Sequence, residues 1–133
     1  MKRSPLDIWG PFYWKFIHFS AFNYPDTPSL EQQQGAKDFY NNLQWVIPCH
    51  ECSEHYSKMV INNPPDTSSR DNLVKWTVKI HNLVNFRLGA EQYDYNKVVE
   101  TFENKGNINI KLYCVMIAIF LLIITLVAFY VLR

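Results

Sequence analysis

Leu112 to Leu132 is a run of 21 residues without a single charge in a chain of 133. At a helical rise of about 1.5 Å per residue, it matches the ~30 Å hydrocarbon core of a bilayer. A helix that is apolar on every side has no face to turn to water, so this run constrains the rest of the chain. Lys111 and Arg133 bracket it, and Tyr113 and Tyr130 sit at interfacial depth. The expectation is a single C-terminal transmembrane helix within residues 109–133, inserted in a lipid membrane. That leaves residues 1–108 for one small domain. The N-terminal Met-Lys-Arg-Ser-Pro-Leu-Asp has no apolar stretch of signal-peptide type, so the domain is expected on the cytosolic side.

A net charge of +1, with no basic run and no aromatic–basic interleaving, argues against a nucleic-acid partner. Aromatics are plentiful, with 4 Trp, 8 Tyr and 9 Phe. Dense core packing is their default use, and a surplus could line a pocket for a flat ring system.

The periodicity is helical throughout. Trp14, Ile17, His18, Ala21 and Phe22 recur at i+3 and i+4 in a first helix over Pro11–Phe22. Asn23 to Pro28 breaks it, because prolines remove donors and restrict the preceding residue. Ser29 caps a second helix over Leu30–Val46. Pro48 opens a third, to about Ile61. After the loop Asn62 to Thr67, Ser68 or Ser69 caps a fourth helix to Leu88, ended by Gly89. A short fifth helix spans Tyr93 to Glu103. The sum is an all-α four-helix bundle with a short fifth helix.

Two cysteines stand at C-x-x-C spacing in Pro48-Cys49-His50-Glu51-Cys52, and the third, Cys114, lies in the apolar tail. One pair does not make a disulfide-stapled secreted fold; it points to redox chemistry or to metal. A helix N-terminus stabilises a thiolate, lowering its pKa and making it a better nucleophile and leaving group. On this reading Cys49 is the outer, exchanging thiol and Cys52 faces the bundle, with His55 three residues further on. A second cluster is His81, Asn82 and Asn85 on the fourth helix. His81 and Asn85 are i, i+4 and share a face, as Trp14 and His18 do on the first helix. Such polar groups are costly to bury unless a polar ligand or backbone groups satisfy them.

The ordered set Gly10-x3-Trp14-x3-His18-x5-Tyr24-Pro25, Pro48-Cys49-x2-Cys52 and Trp76-x4-His81-Asn82-x2-Asn85-x2-Leu88-Gly89 resembles the flavin-linked sulfhydryl oxidases of the Erv/ALR type. The likeness covers residues 9–103. It implies a FAD-binding helical bundle, commonly a homodimer, that forms disulfides in a thioredoxin-like or other dithiol protein and passes the electrons to O2, giving H2O2. By the same likeness, Cys49 is the interchange thiol. Cys52 is the flavin-proximal thiol, which attacks the isoalloxazine and hands it two electrons. Gly10, Trp14, His18 and Tyr24 contact the flavin, His55 lies on its side, and His81, Asn82, Asn85 and Arg87 hold the adenosine, ribose and phosphate portions. No metal is implied.

The chain departs from that pattern at several points. Val78 and Tyr95 occupy the positions of a second, structural disulfide in many relatives. Ala90 stands where lysine is common, and Phe102 where tryptophan is common near the adenine. The distal cysteine pair of longer relatives is missing, so donors are expected to reach Cys49 directly. Minimal members of this kind occur in large DNA viruses, which makes a host or virion internal membrane the expected location. The residues alone leave rivals: a Cys2His2 zinc centre of Cys49, Cys52, His55 and His81, a membrane-anchored structural adaptor, or a thioredoxin-like oxidoreductase, against which the missing βαβ pattern speaks.

Overall fold

A computed structural model of the chain describes residues 5–106 and 110–131. Leu132, Arg133, the N-terminal residues 1–4 and the expected boundary at residues 107–109 lie outside the described residues. The described chain is all-α: α1 (Pro5–Phe22), α2 (Leu30–Asn42), a 3-10 turn (Leu43–Trp45), α3 (His50–Asn62), α4 (Arg70–Leu88), α5 (Tyr95–Gly106) and α6 (Ile110–Val131). It divides into two compact units, one reaching to Phe102 and one beginning at Glu103.

In the first unit α1 packs chiefly on α4, and α3 also meets α4. Between them sits the core of Ile17, Ala21, Tyr40, Leu43, Tyr56, Leu73, Trp76 and Ile80. Buried polar tips in this core have partners, as desolvation demands. The Trp76 indole N–H donates to Asn63 O at 2.8 Å, and the Tyr56 hydroxyl donates to Tyr40 O at 2.8 Å. Trp76 is therefore a core residue, anchoring the 62–67 loop.

Helix ends follow local chemistry. Ser29 caps α2 in a reciprocal box with Gln32, and Ser69 caps α4 through Asn72 N. Gly89 closes α4 at φ 65°, a left-handed conformation that glycine adopts without a Cβ penalty.

Several boundaries differ from the expectation, among them α5, expected over Tyr93–Glu103 and found over Tyr95–Gly106, since Asn82 bonds the Tyr93 backbone and holds it out of the helix. α1 begins at Pro5 and carries Pro11 inside it. Both prolines suit a first turn; the more N-terminal one takes it, and Pro11 lies on the exposed side. This extra turn and a half brings Leu6, Trp9 and Gly10 onto the helix. α2 stops at Asn42, and the chain tightens into the 3-10 turn before Pro48. α3 starts after Cys49, which is an N-cap in extended conformation (φ −147°, ψ 114°) and not a first-turn residue.

α5 closes the bundle. Phe102 stacks on Phe22 (5.3 Å, 7°) and lies against His18 and Phe19. Where the resemblance places a second disulfide in relatives, the Tyr95 hydroxyl donates to the Asp71 carboxylate at 2.7 Å, joining α5 to α4. Lys75, and then Tyr95, hold that carboxyl below its usual range.

In the second unit, Tyr113–Tyr130 is an 18-residue stretch of mean hydropathy 2.7, none of it buried. It is long and apolar enough to cross a membrane.

Candidate functional site

Cys49 and Cys52 are joined in a disulfide, with their Cα atoms 5.2 Å apart, at the start of α3. The Cys52 backbone N–H, one of the unpaired donors of a helix start, points at Cys49 Sγ at 3.2 Å. Both cysteines are half-buried. The lead-in is fixed: Cys49 N–H donates to Ile47 O, and Ser53 Oγ donates to Gln44 O.

Cys52 lines a cleft between α1, α3 and the end of α4 that holds about 540 Å³ of space, counting its solvent-open part. Trp9, Gly10, Tyr13 and Trp14 form the α1 wall, His55, Tyr56 and Met59 the α3 wall, and Val84, Arg87 and Leu88 the α4 wall. Its lining is mostly apolar with a few polar groups, as in small-molecule sites. Among the described residues the Tyr13 hydroxyl is buried without a hydrogen-bond partner, and burial raises its pKa, so it stays a protonated donor. His55 donates its Nδ1–H to Glu51 O at 2.7 Å, which turns its other ring nitrogen outward from that bond. Arg87 pairs with Glu51 at 3.3 Å across α4 and α3, placing one guanidinium at the rim.

Behind Trp14 lies a buried proton chain. Thr77 Oγ1 donates to Val74 O at 2.8 Å, which uses its only proton. It therefore accepts from His18 Nδ1 at 3.1 Å, and His18 Nε2 accepts from His81 Nδ1 at 2.9 Å. Each shared position holds one proton, and His81 Nε2 keeps a lone pair. Burial lowers the His18 pKa to about 4; burial and then the His18 neighbour lower that of His81 to about 3. Both rings are neutral at physiological pH. The His81 ring stacks on Trp14 (3.8 Å, 6°), with the Tyr93 ring edge-on at 4.7 Å.

The site residues expected from sequence thus fall into three sets. Cys52, Gly10, Trp14, His55 and Arg87 line the cleft, with Cys49 bonded to Cys52 at its edge. His18 and His81 form the layer behind Trp14. Tyr24, Asn82 and Asn85 hold loops. The Tyr24 hydroxyl donates to Thr67 O at 3.0 Å. The Asn82 amide both donates to and accepts from the Tyr93 backbone, at 2.9 and 2.7 Å. Asn85 donates to Glu91 O at 2.9 Å. The pair of asparagines shapes the segment that sets Tyr93 against His81. Sequence reasoning missed Leu6, Tyr13, Tyr56 and Met59. The i+3 spacing of Gly10 and Tyr13, and of Tyr56 and Met59, was the available signal. No group of three or more His, Cys, Asp or Glu among the described residues is arranged to hold a metal ion.

An all-α bundle with a C-x-x-C disulfide beside an aromatic cleft defines a thiol-redox class of protein. The Erv1/Alr family profile matches residues 11–103, and the chain belongs to that family. It is 38% identical over 99 residues to a probable FAD-linked sulfhydryl oxidase of Acanthamoeba polyphaga mimivirus, covering 71% of this chain and 68% of the relative. It is 32% identical over 97 residues to the mitochondrial FAD-linked sulfhydryl oxidase ERV1 of Saccharomyces cerevisiae, covering 71% of this chain and 51% of the relative. The chain thus spans about half the length of that cellular relative. The crystal structure of the FAD-binding domain of Saccharomyces cerevisiae Erv1 superposes with a TM-score of 0.73 at 27% identity, covering 77% of this chain and 97% of that one.

Proposed function

We infer that this chain is a FAD-dependent thiol oxidase that forms disulfides in a dithiol protein and delivers the electrons to O2. The observation that carries the reading is the Cys49–Cys52 disulfide opening, through Cys52, onto an aromatic cleft with an orphaned Tyr13 hydroxyl. These residues fit a flavin: flat apolar walls, one cation, one spare hydrogen-bond donor and a redox sulfur on the same cavity.

Exchange begins when a donor thiolate attacks Cys49 Sγ; the bond to Cys52 breaks and Cys52 leaves as a thiolate. The donor's second thiolate then attacks the mixed disulfide at the donor sulfur, releasing Cys49. The donor departs oxidised, and two electrons reside on the cysteine pair, its protons passing to water. The cleft residues Trp14, Arg87 and Tyr13 would hold FAD, which would supply the two-electron chemistry linking the reduced cysteine pair to O2, with H2O2 as product. Trp14, held by His81, and Gly10, which adds no side chain, keep a flat face open to the ring. Arg87 supplies positive charge at the rim, and His55 a ring nitrogen beside Cys52. Asn82 and Asn85 act through the 89–94 segment, which closes the His81 side. His18 and Tyr24 fix α1 to α4 and to the 62–67 loop.

The domain comprises residues 1–108, and residues 109–133 anchor it in a membrane as a single-pass C-terminal helix. The catalytic unit faces the cytosol, at a host or virion internal membrane, and works as a homodimer. The length and hydropathy of Tyr113–Tyr130 support the anchor, and the viral relative supports the setting. An absorption spectrum of the purified full chain in detergent tests the cofactor. Near-stoichiometric flavin released by heat is expected; a colourless, folded protein refutes the reading.

A further inference from the structure

Exposed apolar side chains usually occur singly; beside Cys49 two stand together. Trp45 ends the 3-10 turn with 76% of its surface exposed, and Val46 follows with 64%. Their backbone is pinned. Val46 N–H donates to Leu43 O at 3.1 Å, Ser53 Oγ to Gln44 O at 2.6 Å, and Cys49 N–H to Ile47 O at 2.8 Å. Val46 is so near in sequence that its Cα lies within about 11 Å of that of Cys49. On the helix side of Cys49, the charged groups already have partners within the chain. His50 pairs with Glu54 at 3.2 Å, and Glu51 with Arg87 at 3.3 Å. The face just before Cys49 in the chain is thus exposed and apolar.

The reaction itself says what covers this face. A protein donor whose thiolate reaches Cys49 Sγ must lay its own surface over the residues flanking Cys49 while the mixed disulfide exists. We propose that Trp45 and Val46 form the docking patch for the dithiol donor, which presents an apolar segment beside its cysteines. The proposal rests on the thiol-oxidase reading and deepens it. A donor with charged flanks would have to strip water from those charges against an indole and a valine. Tryptophan is also among the residues that most often dominate binding at protein contacts.

The test uses the full-length, FAD-loaded chain and three donors. These are dithiothreitol and two synthetic peptides sharing one Cys-x-x-Cys, the first flanked by leucine and phenylalanine, the second by lysine and glutamate. The parental chain should oxidise the apolar-flanked peptide with a kcat/KM about tenfold above that of the charged one. Trp45→Glu should abolish that preference through KM of the apolar peptide, with dithiothreitol oxidation unchanged; Val46→Asp should reduce it. Equal rates for the two peptides in the parent overturn the proposal. So does a preference that survives in the double variant, or a matching loss with dithiothreitol, which would mean damage to the site. Conversion of a dimer to a monomer by Trp45→Glu, seen by size exclusion, would assign the face to a second copy and overturn it too. A flavin-loaded parent inert toward dithiothreitol is a different failure: it refutes the oxidase reading, and this proposal with it.

Discussion

Cys49 and Cys52 differ in place more than in exposure: one caps the helix, the other lines the cleft. Cys52→Ser should keep its flavin and lose thiol oxidation by at least about a hundredfold, since covalent relay is lost while the cleft stays intact. Oxidation of dithiothreitol at the parental rate by that variant would remove Cys52 from the relay. The histidine pair makes a prediction about acid. Folded His18 and His81 have pKa values near 4 and 3, below the 6.5 of a free imidazole. Below about pH 6.5 the unfolded chain binds protons the folded chain refuses, so stability is whole above that pH and is lost as pH falls towards 4. The slope is at most about 1.4 kcal/mol per pH unit for each histidine. Melting curves between pH 7 and 4.5 should show it; a flat profile would mean the pair is not buried neutral. Spacing set Trp14 with His18, and His81 with Asn85, on shared helix faces. The order of protons along Thr77, His18 and His81 was not legible from it, because it depends on which acceptors the fold brings to each ring.

At the level of elements, the sequence located every helix of the bundle but misplaced the ends where two signals competed. Two prolines suited to a helix start lie six residues apart, and spacing alone could not say that Pro11 would be carried inside α1. Pro48 looked like a first turn, yet the bond from Cys49 N–H to Ile47 O and the extended Cys49 backbone delay α3 until His50. The face of α4 bearing Asn82 and Asn85 read as a ligand face or as backbone support. The structure shows both asparagines bonded to the 91–93 backbone, a contact no helical periodicity could reveal. Asn82→Ala should therefore loosen that segment, increasing amide exchange at Tyr93 and weakening flavin retention several-fold by way of Tyr93 and His81. Unchanged exchange at Tyr93 would contradict the loop role. Gly89→Ala tests the α4 terminus. Its Cβ meets nothing within 4 Å, so only the positive φ is penalised. A cost of about 1 kcal/mol, or a Tm lower by about 5 °C, is expected, and an unchanged Tm would show that the turn relaxes freely.

For the whole molecule, composition alone separated an aromatic helical unit from an apolar tail, and the compact units divide at Phe102 and Glu103, within α5. The full chain should float with liposomes in a density gradient, and deletion of residues 110–133 should leave it at the bottom; flotation of the truncated form would place membrane affinity elsewhere. One feature at the start of α3 bears on the molecule in operation. While the disulfide is closed, Cys52 N–H meets a neutral sulfur at Cys49. When electrons arrive, the same N–H meets an anion, and a negative charge at a helix N-terminus is worth roughly 0.3–1 kcal/mol. The oxidised resting enzyme is thus held with its first helical turn under-tethered, and each delivery of electrons tightens it. The state of charge of the cysteine pair is written into the firmness of one helix end, and the change comes as the oxidised donor lets go of Cys49.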